Sequence, residues 1–309
     1  MIVKKFNYFR FITFIVILSL IIFGIVKLIM YFNYKKTYEY KLLSIGYNKE
    51  NVSILLDKLN DKEINNLLTR KQNDKIIDYV KEKYFIYSNL DKYLNYDNRE
   101  DRSITEVIAI INTEANIDYH DNEKETDTSK NELMLVNRLY GLSKDYEPED
   151  LVTIPVKYAY NGRKISNSIL DKIISLCDDA YTEGFTFVVD GSYRSYGEQE
   201  KIYKSYDKLD VDKYTTKAGH SEYQTGLSFD LKPYNKDYKE PKLSEEYIWL
   251  KNNAYKYGFI LRFTKEKEYV TLISEFVWRL RYVGEEAAKI INDEDISFEE
   301  YYAYYLRGE

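Results

Sequence analysis

The chain has 309 residues, 44% of them apolar and 31% charged, with a net charge of −6 and a pI near 5.4. That length supports one or two packed domains, and the composition excludes a wholly disordered or collagen-like chain. The acidic balance argues against a nucleic-acid binder, and a single cysteine with two histidines, His120 and His220, excludes an intrachain disulfide and a multi-cysteine metal cluster.

Residues 11–32 form an apolar run interrupted only by Lys27, long enough to cross roughly 30 Å of hydrocarbon. The run exceeds the apolar core of a signal peptide, and no Ala-x-Ala-like cleavage site follows it, so an uncleaved membrane anchor is expected. Lys4, Lys5 and Arg10 precede it and Lys35 and Lys36 follow it. The charge bias is weak, and leans towards residues 1–10 in the cytoplasm and the rest outside. Residues 33–103 read as a helical stalk or subdomain. Val52, Leu55, Leu56 and Leu59, then Ile64, Leu67 and Leu68, recur at helical spacing, with Asp61 and Asn73 as N-caps.

Residues 104–113, ITEVIAIINT, read as a buried strand, and 116–132 as a polar loop holding a solvent-exposed His120. Residues 133–155 read as a strand and then irregular chain around Pro148. Leu170, Ile173, Ile174, Cys177 and Tyr181 mark one helix face that Gly184 ends, which makes Cys177 a core residue. Phe185–Val189 is a predicted strand, followed by a helix around Gln199–Tyr206 and a strand at 226–232. Ser244 caps a helix that carries Tyr247, Leu250, Ala254 and Tyr257 and closes at Gly258. FILRF and YVTLI read as strands, WRLRYVG follows, and Ser297 with Glu300 forms a capping box. Hairpin-length connections favour an α+β fold, a small mixed or antiparallel sheet with flanking helices, over a doubly wound parallel sheet.

GSYRSYGEQ at 191–199, GHSEYQTGLSFD at 219–230, NAYKYGFILRFTKEKEYVT at 253–271 and VWRLRYVG at 277–284 resemble the VanY-like zinc D-alanyl-D-alanine carboxypeptidases. Residues 133–152 resemble the segment that precedes this domain in many bacterial members. The resemblance implies a LAS-type D,D-peptidase domain over 104–309. It also implies a chemistry: zinc held by His, Asp and His, a Glu as general base on the metal-bound water, and an Arg pairing with the substrate's terminal carboxylate.

Carried over position by position, Ser221, Gly226 and Asp230 match the first motif, with Tyr223 at its histidine and Ser228 at its alanine. In the second motif Trp278, Arg281, Tyr282, Val283 and Gly284 match. Phe276 stands at the general base, Val277 at the proline and Arg279 at the last ligand. The resemblance therefore implies that no catalytic residue is intact and that zinc is lost, with an Arg279–Asp230 ion pair expected in its place. Arg194, Ser195, Gln199 and Ser221 remain as the implied substrate-binding set.

The expected function is a membrane-anchored, cell-wall-facing carboxypeptidase-like protein without catalysis. It would hold peptidoglycan stem peptides, or dock to an active paralogue or another wall protein. One alternative is an active D,D-carboxypeptidase with an unusual metal site that uses His220 or His120 as a ligand and Glu275 or another carboxylate as base. Against it, an extended segment would turn His220 away from Tyr223. Another alternative is a purely structural membrane protein with a tyrosine-rich contact surface.

Overall fold

The computed structural model describes residues 7–96, 101–119, 121–206 and 211–307, so the expectations for Lys4, Lys5 and His120 fall outside it. The chain divides into two units, residues 1–105 and 106–309.

In the first unit, helix α1 (Tyr8–Lys36) has no buried residue. Asn7 caps it by accepting from the Arg10 amide, and Lys35 and Lys36 sit at the negative end of its dipole. A mean hydropathy of 2.8 makes α1 long and apolar enough to cross a membrane. Short helices follow: α2 (Tyr38–Ser44), α3 (Lys49–Lys58), α4 (Asp61–Leu67), α5 (Asp74–Lys81) and α6 (Leu90–Leu94). Helices this short are marginal alone. A shared core of Leu42, Val52, Leu55, Leu59, Ile64, Leu67, Ile76, Ile77, Val80 and Leu90 holds them together. Asn73 caps α5 as expected, but α4 is capped by Asn60, one residue before Asp61, in a capping box with Glu63. Leu56 is exposed, because the narrower stripe Val52–Leu55–Leu59 already fills the face of α3 that packs on α5.

Most of α7 (Ile104–Asn112), a helix where a strand was expected, belongs to the second unit, which starts at Glu106. Every residue from Val107 to Asn112 is buried. A helix enclosed on all sides shows no amphipathic period, and a short apolar run then reads equally well as a strand. Strand β1 (Lys124–Glu125) pairs in parallel with β2 (Tyr140–Gly141). The longer strand expected from residue 133 is reduced to β2. The Asn137 side chain accepts from the Leu139 and Tyr140 amides and folds the chain into a turn instead. Strands β3 (Leu151–Thr153) and β4 (Lys164–Ser166) form an antiparallel pair.

Helix α8 (Leu170–Thr182) ends as predicted at Gly184, φ +92°, with the Gly184 amide donating to Tyr181 and the Phe185 amide to Ala180. Tyr181 is solvent-exposed, and Leu176 and Ala180 join Ile173 and Cys177 in the core instead. Burial pushes the Cys177 thiol up to about 12, so it is an inert core side chain.

The remaining elements are β5 (Phe187–Gly191), α9 (Tyr196–Ser205), α10 (Val211–Tyr214), β6 (Ser228–Pro233), α11 (Glu245–Asn253), β7 (Phe259–Phe263), α12 (Glu268–Thr271), β8 (Phe276–Tyr282), α13 (Glu285–Asp293) and α14 (Phe298–Tyr301). YVTLI is not a strand. It forms α12 and a left-handed Leu272, φ +59°, in the connection between β7 and β8, which pair directly with each other. Four strands make one antiparallel sheet in the order β5-β6-β8-β7. One face carries Phe187, Val189, Phe229, Leu231, Phe259 and Leu280, packed with Ile173, Leu176 and Cys177 of α8 and Trp249 and Leu250 of α11. Side chains alternate along a strand. The opposite face therefore receives Ser228 and Asp230 from β6, Arg262 from β7, and Arg279 and Arg281 from β8.

Candidate functional site

A cavity of about 170 Å³ opens on this polar face, lined by Arg138, Arg194, Ser221, Tyr223, Asp230, Phe276 and Arg279 among others. Sheet register builds its floor. Asp230 of β6 stands opposite Arg279 of β8, and cross-strand partners on one face touch. Arg279 Nε donates to Asp230 Oδ1, Nη2 lies 3.5 Å from Oδ2, and the Tyr223 hydroxyl donates to Oδ2 at 2.5 Å. Arg194 and Arg279 both lie over the Tyr223 ring, at 4.1 and 4.2 Å from its centre, and Arg279 is 4.8 Å from that of Phe276.

Burial pushes the Asp230 carboxyl upward, but the charge and hydrogen bonds of Arg279 outweigh it and hold the group below its ordinary value. Burial raises the Tyr223 phenol, which stays a protonated donor. Asp230 is thus an anion whose two oxygens are both engaged.

Tyr223 reaches Asp230 from a 3-10 turn, Glu222–Thr225, which Gly226 closes at φ +68°. Gly191 at the end of β5 leaves the necessary room. A Cβ there would sit 2.5 Å from Asp230 Oδ2 and 2.7 Å from the Tyr223 hydroxyl. Gly191→Ala is therefore expected to part these two groups and to cost ~1–3 kcal/mol. Denaturant unfolding checks this through a lower midpoint at unchanged slope.

A second set of charges lies buried on the same face. Arg262 Nε donates to both carboxylate oxygens of Glu222, at 2.9 and 3.0 Å. Its terminal nitrogens donate to both oxygens of Glu299, at 2.9 and 2.6 Å. The side chains of Arg262, Glu222 and Glu299 are 0, 4 and 2% exposed. Arg281 Nη2 donates to the carbonyls of Glu132 and Met134 at 3.0 and 2.8 Å, and burial draws its guanidinium down to about 10. Sequence reading missed this network, although an arginine inside the apolar run FILRF was its one visible signal.

The implied substrate-binding residues divide. Arg194 and Ser221 line the cavity. Gln199 is buried outside the lining. It receives Arg194 Nη1 at 3.4 Å and donates to Thr215 Oγ1 and the Thr216 carbonyl at 3.0 and 2.7 Å, which braces Arg194. Ser195 is the N-cap of α9, in a capping box with Glu198, and does not line the cavity.

His220 does line the cavity, because the segment after it is a 3-10 turn and the alternation expected of an extended chain does not apply. Its Nδ1 is 2.7 Å from the Asn137 carbonyl and its Nε2 3.6 Å from Glu123. Glu275 is drawn away from the cavity, accepting from Lys242 Nζ at 2.9 Å and the Lys265 amide at 3.1 Å.

The antiparallel sheet, its motif-bearing turns and the polar cavity define a small α+β domain with a charged cleft on one sheet face. The VanY family, D-alanyl-D-alanine carboxypeptidase, matches residues 162–285. YodJ of Bacillus subtilis (strain 168) is 36% identical over 56% of this chain and 67% of its own length. A D-alanyl-D-alanine carboxypeptidase of Enterococcus faecium is 28% identical over 74% of each chain. Among solved structures, the LdcB LD-carboxypeptidase, described for its peptidoglycan recognition, superposes with a TM-score of 0.55 at 33% identity, over 60% of this chain and 91% of its own. The chain belongs to the VanY family of D-alanyl-D-alanine carboxypeptidases.

Proposed function

We propose that this carboxypeptidase-like protein binds D-alanine-terminated peptidoglycan stem peptides without hydrolysing them, from a domain that α1 anchors at the outer face of the cell membrane. The observation that carries the reading is the Arg279–Asp230 pair. A catalytic zinc site supplies three protein ligands and an open fourth position. At the three family ligand positions this chain has a phenol, a carboxylate with both oxygens engaged, and a permanent cation. Those residues do not fit a divalent metal, and Phe276 at the family's general-base position can take no proton from water. No hydrolytic step is routed through this site.

Peptide recognition rests on separate groups. Arg194 presents its guanidinium to the cavity, braced by Gln199 and the Tyr223 ring, and a forked donor suits a terminal carboxylate. The rival reading, an active enzyme, draws on His220 lining the same cavity. The experiment is zinc content of the full chain in detergent after metal loading, together with D-alanine release and binding of a D-Ala-D-Ala-terminated peptide. Near-zero zinc, no release, and binding that Arg194→Ala abolishes are expected. About one zinc per chain with D-alanine release overturns the proposal and restores the enzyme.

A further inference from the structure

Outside α1, the most exposed large apolar side chain among the described residues is Val156, at 76%. It lies in the loop between β3 and β4, in a turn that the Tyr158 amide closes on the Pro155 carbonyl at 2.8 Å. The loop is fixed in place because it covers the outer edge of β5. The Val189 amide donates to the Tyr158 carbonyl at 2.8 Å, and the Tyr160 amide donates to the Val189 carbonyl at 3.1 Å. Tyr160 is exposed beside this bridge, and Tyr181 is exposed one turn along α8 from Asp178, which holds Lys157 of the loop.

The same surface is cationic. Residues 151–170 include Lys157, Arg163 and Lys164 and no acidic residue, in a chain whose net charge is −6. Lys232 of β6 adds a fourth cation. Asp178 meets Lys157 at 2.8 Å, and Asp190 lies between Lys232 at 2.6 Å and Arg163 at 3.8 Å. Two carboxylates therefore face four cations. Lys164 is exposed and, among the described residues, forms no ion pair within 4.0 Å. Leu243, 72% exposed, has a different setting, with Glu240, Glu245 and Glu246 close by in the chain.

An apolar tip, exposed tyrosines and surplus positive charge fit a surface that is both apolar and anionic. A soluble polyanion would match the charge and leave Val156 in water. A lipid surface matches both, and a tethered domain needs only a weak contact to reach it. We infer that the β3–β4 loop is a second membrane contact. Val156 and Tyr160 rest in the headgroup layer of an anionic bilayer, with Lys157, Arg163, Lys164 and Lys232 against the lipid phosphates. The inference rests on α1 as the membrane anchor and adds to it a lipid-docked state of the carboxypeptidase-like domain.

The test uses the full chain reconstituted in phosphatidylcholine vesicles with and without phosphatidylglycerol. A polarity-sensitive fluorophore is attached at Asn161→Cys in the loop. A control is attached at Glu286→Cys on α13, which packs against β7 at the opposite edge of the sheet. Cys177 is buried and stays unlabelled. With phosphatidylglycerol present, the Asn161 reporter is expected to shift to the blue and to be quenched by headgroup-labelled lipids. The Glu286 reporter is expected to stay unchanged, and added salt to weaken the loop signal. Lys164→Glu reverses a charge and is expected to lower the ratio of docked to undocked chains about tenfold or more. Val156→Asp is expected to abolish the loop signal.

The inference is overturned if the loop and control reporters respond alike, or if phosphatidylglycerol makes no difference to the loop reporter. It is also overturned if the loop reporter responds to soluble poly(glycerol phosphate) and not to vesicles, which would give the surface to an anionic polymer. Each of these results leaves the anchor standing, because resistance of the chain to alkaline extraction reports α1 separately. A chain that alkali strips from the vesicles removes the anchor and this inference together.

Discussion

Arg262→Met is expected to destabilise the second unit by about 3–5 kcal/mol, the usual cost of removing one partner from a buried ion pair. The substitution keeps an unbranched side chain of similar reach but strands Glu299, at 2% side-chain exposure, and leaves Glu222, at 4%, with Arg281 at 3.6 Å in place of a bidentate partner. Neither can be rehydrated without opening the fold. Glu222 belongs to the turn that carries Tyr223, and Glu299 to α14, so one arginine ties the floor of the cavity to the C-terminal helix. Urea unfolding of the full chain measures the effect. The double variant Arg262→Met, Glu299→Gln is expected to recover much of the loss, because Glu222 then keeps Arg281, 3.6 Å away, as its counter-charge. A loss below about 1 kcal/mol for Arg262→Met would show that water reaches the carboxylates and that the network is not dry.

The second large effect is a gain. Combining Tyr223→His, Phe276→Glu and Arg279→His is expected to create a site that takes about one zinc ion per chain, against a near-zero content expected of the parent. Both new imidazoles would stand beside Asp230, since Tyr223 already touches its Oδ2 and Arg279 is its cross-strand partner. Competition against a colorimetric chelator reads the affinity, and circular dichroism confirms the fold. A folded triple variant with no zinc affinity would show that the family ligand positions do not converge in this chain.

The sheet and its motifs were legible because they depend on short-range signals. The caps at Asn73, Ser244 and Ser297 and the glycine stops at Gly184 and Gly258 lie within a few residues of the elements they bound. The resemblance to the family's zinc motifs implied that Tyr223, Asp230 and Arg279 share one site, and the ion pair expected between the last two is formed. ITEVIAIINT and YVTLI were misread for one shared reason. Each is a short apolar stretch enclosed by the fold, and hydrophobicity without periodicity does not distinguish a turn of helix from a strand. The Arg262 network was not legible because its partners lie 40 and 37 residues away, where no local rule reaches. Ser195 shows the converse error. A motif residue that looks like a ligand contact is here consumed by a helix cap.

The Arg279–Asp230 tie has a thermodynamic consequence of its own. When a metal clips two strands together, mass action makes the folded population depend on free metal concentration, and a chelator loosens the protein. Here β6 and β8 are joined by groups that are both covalent parts of the chain. The local concentration of the bridging cation is therefore fixed at synthesis, and depletion of trace metals in the surroundings does not change it.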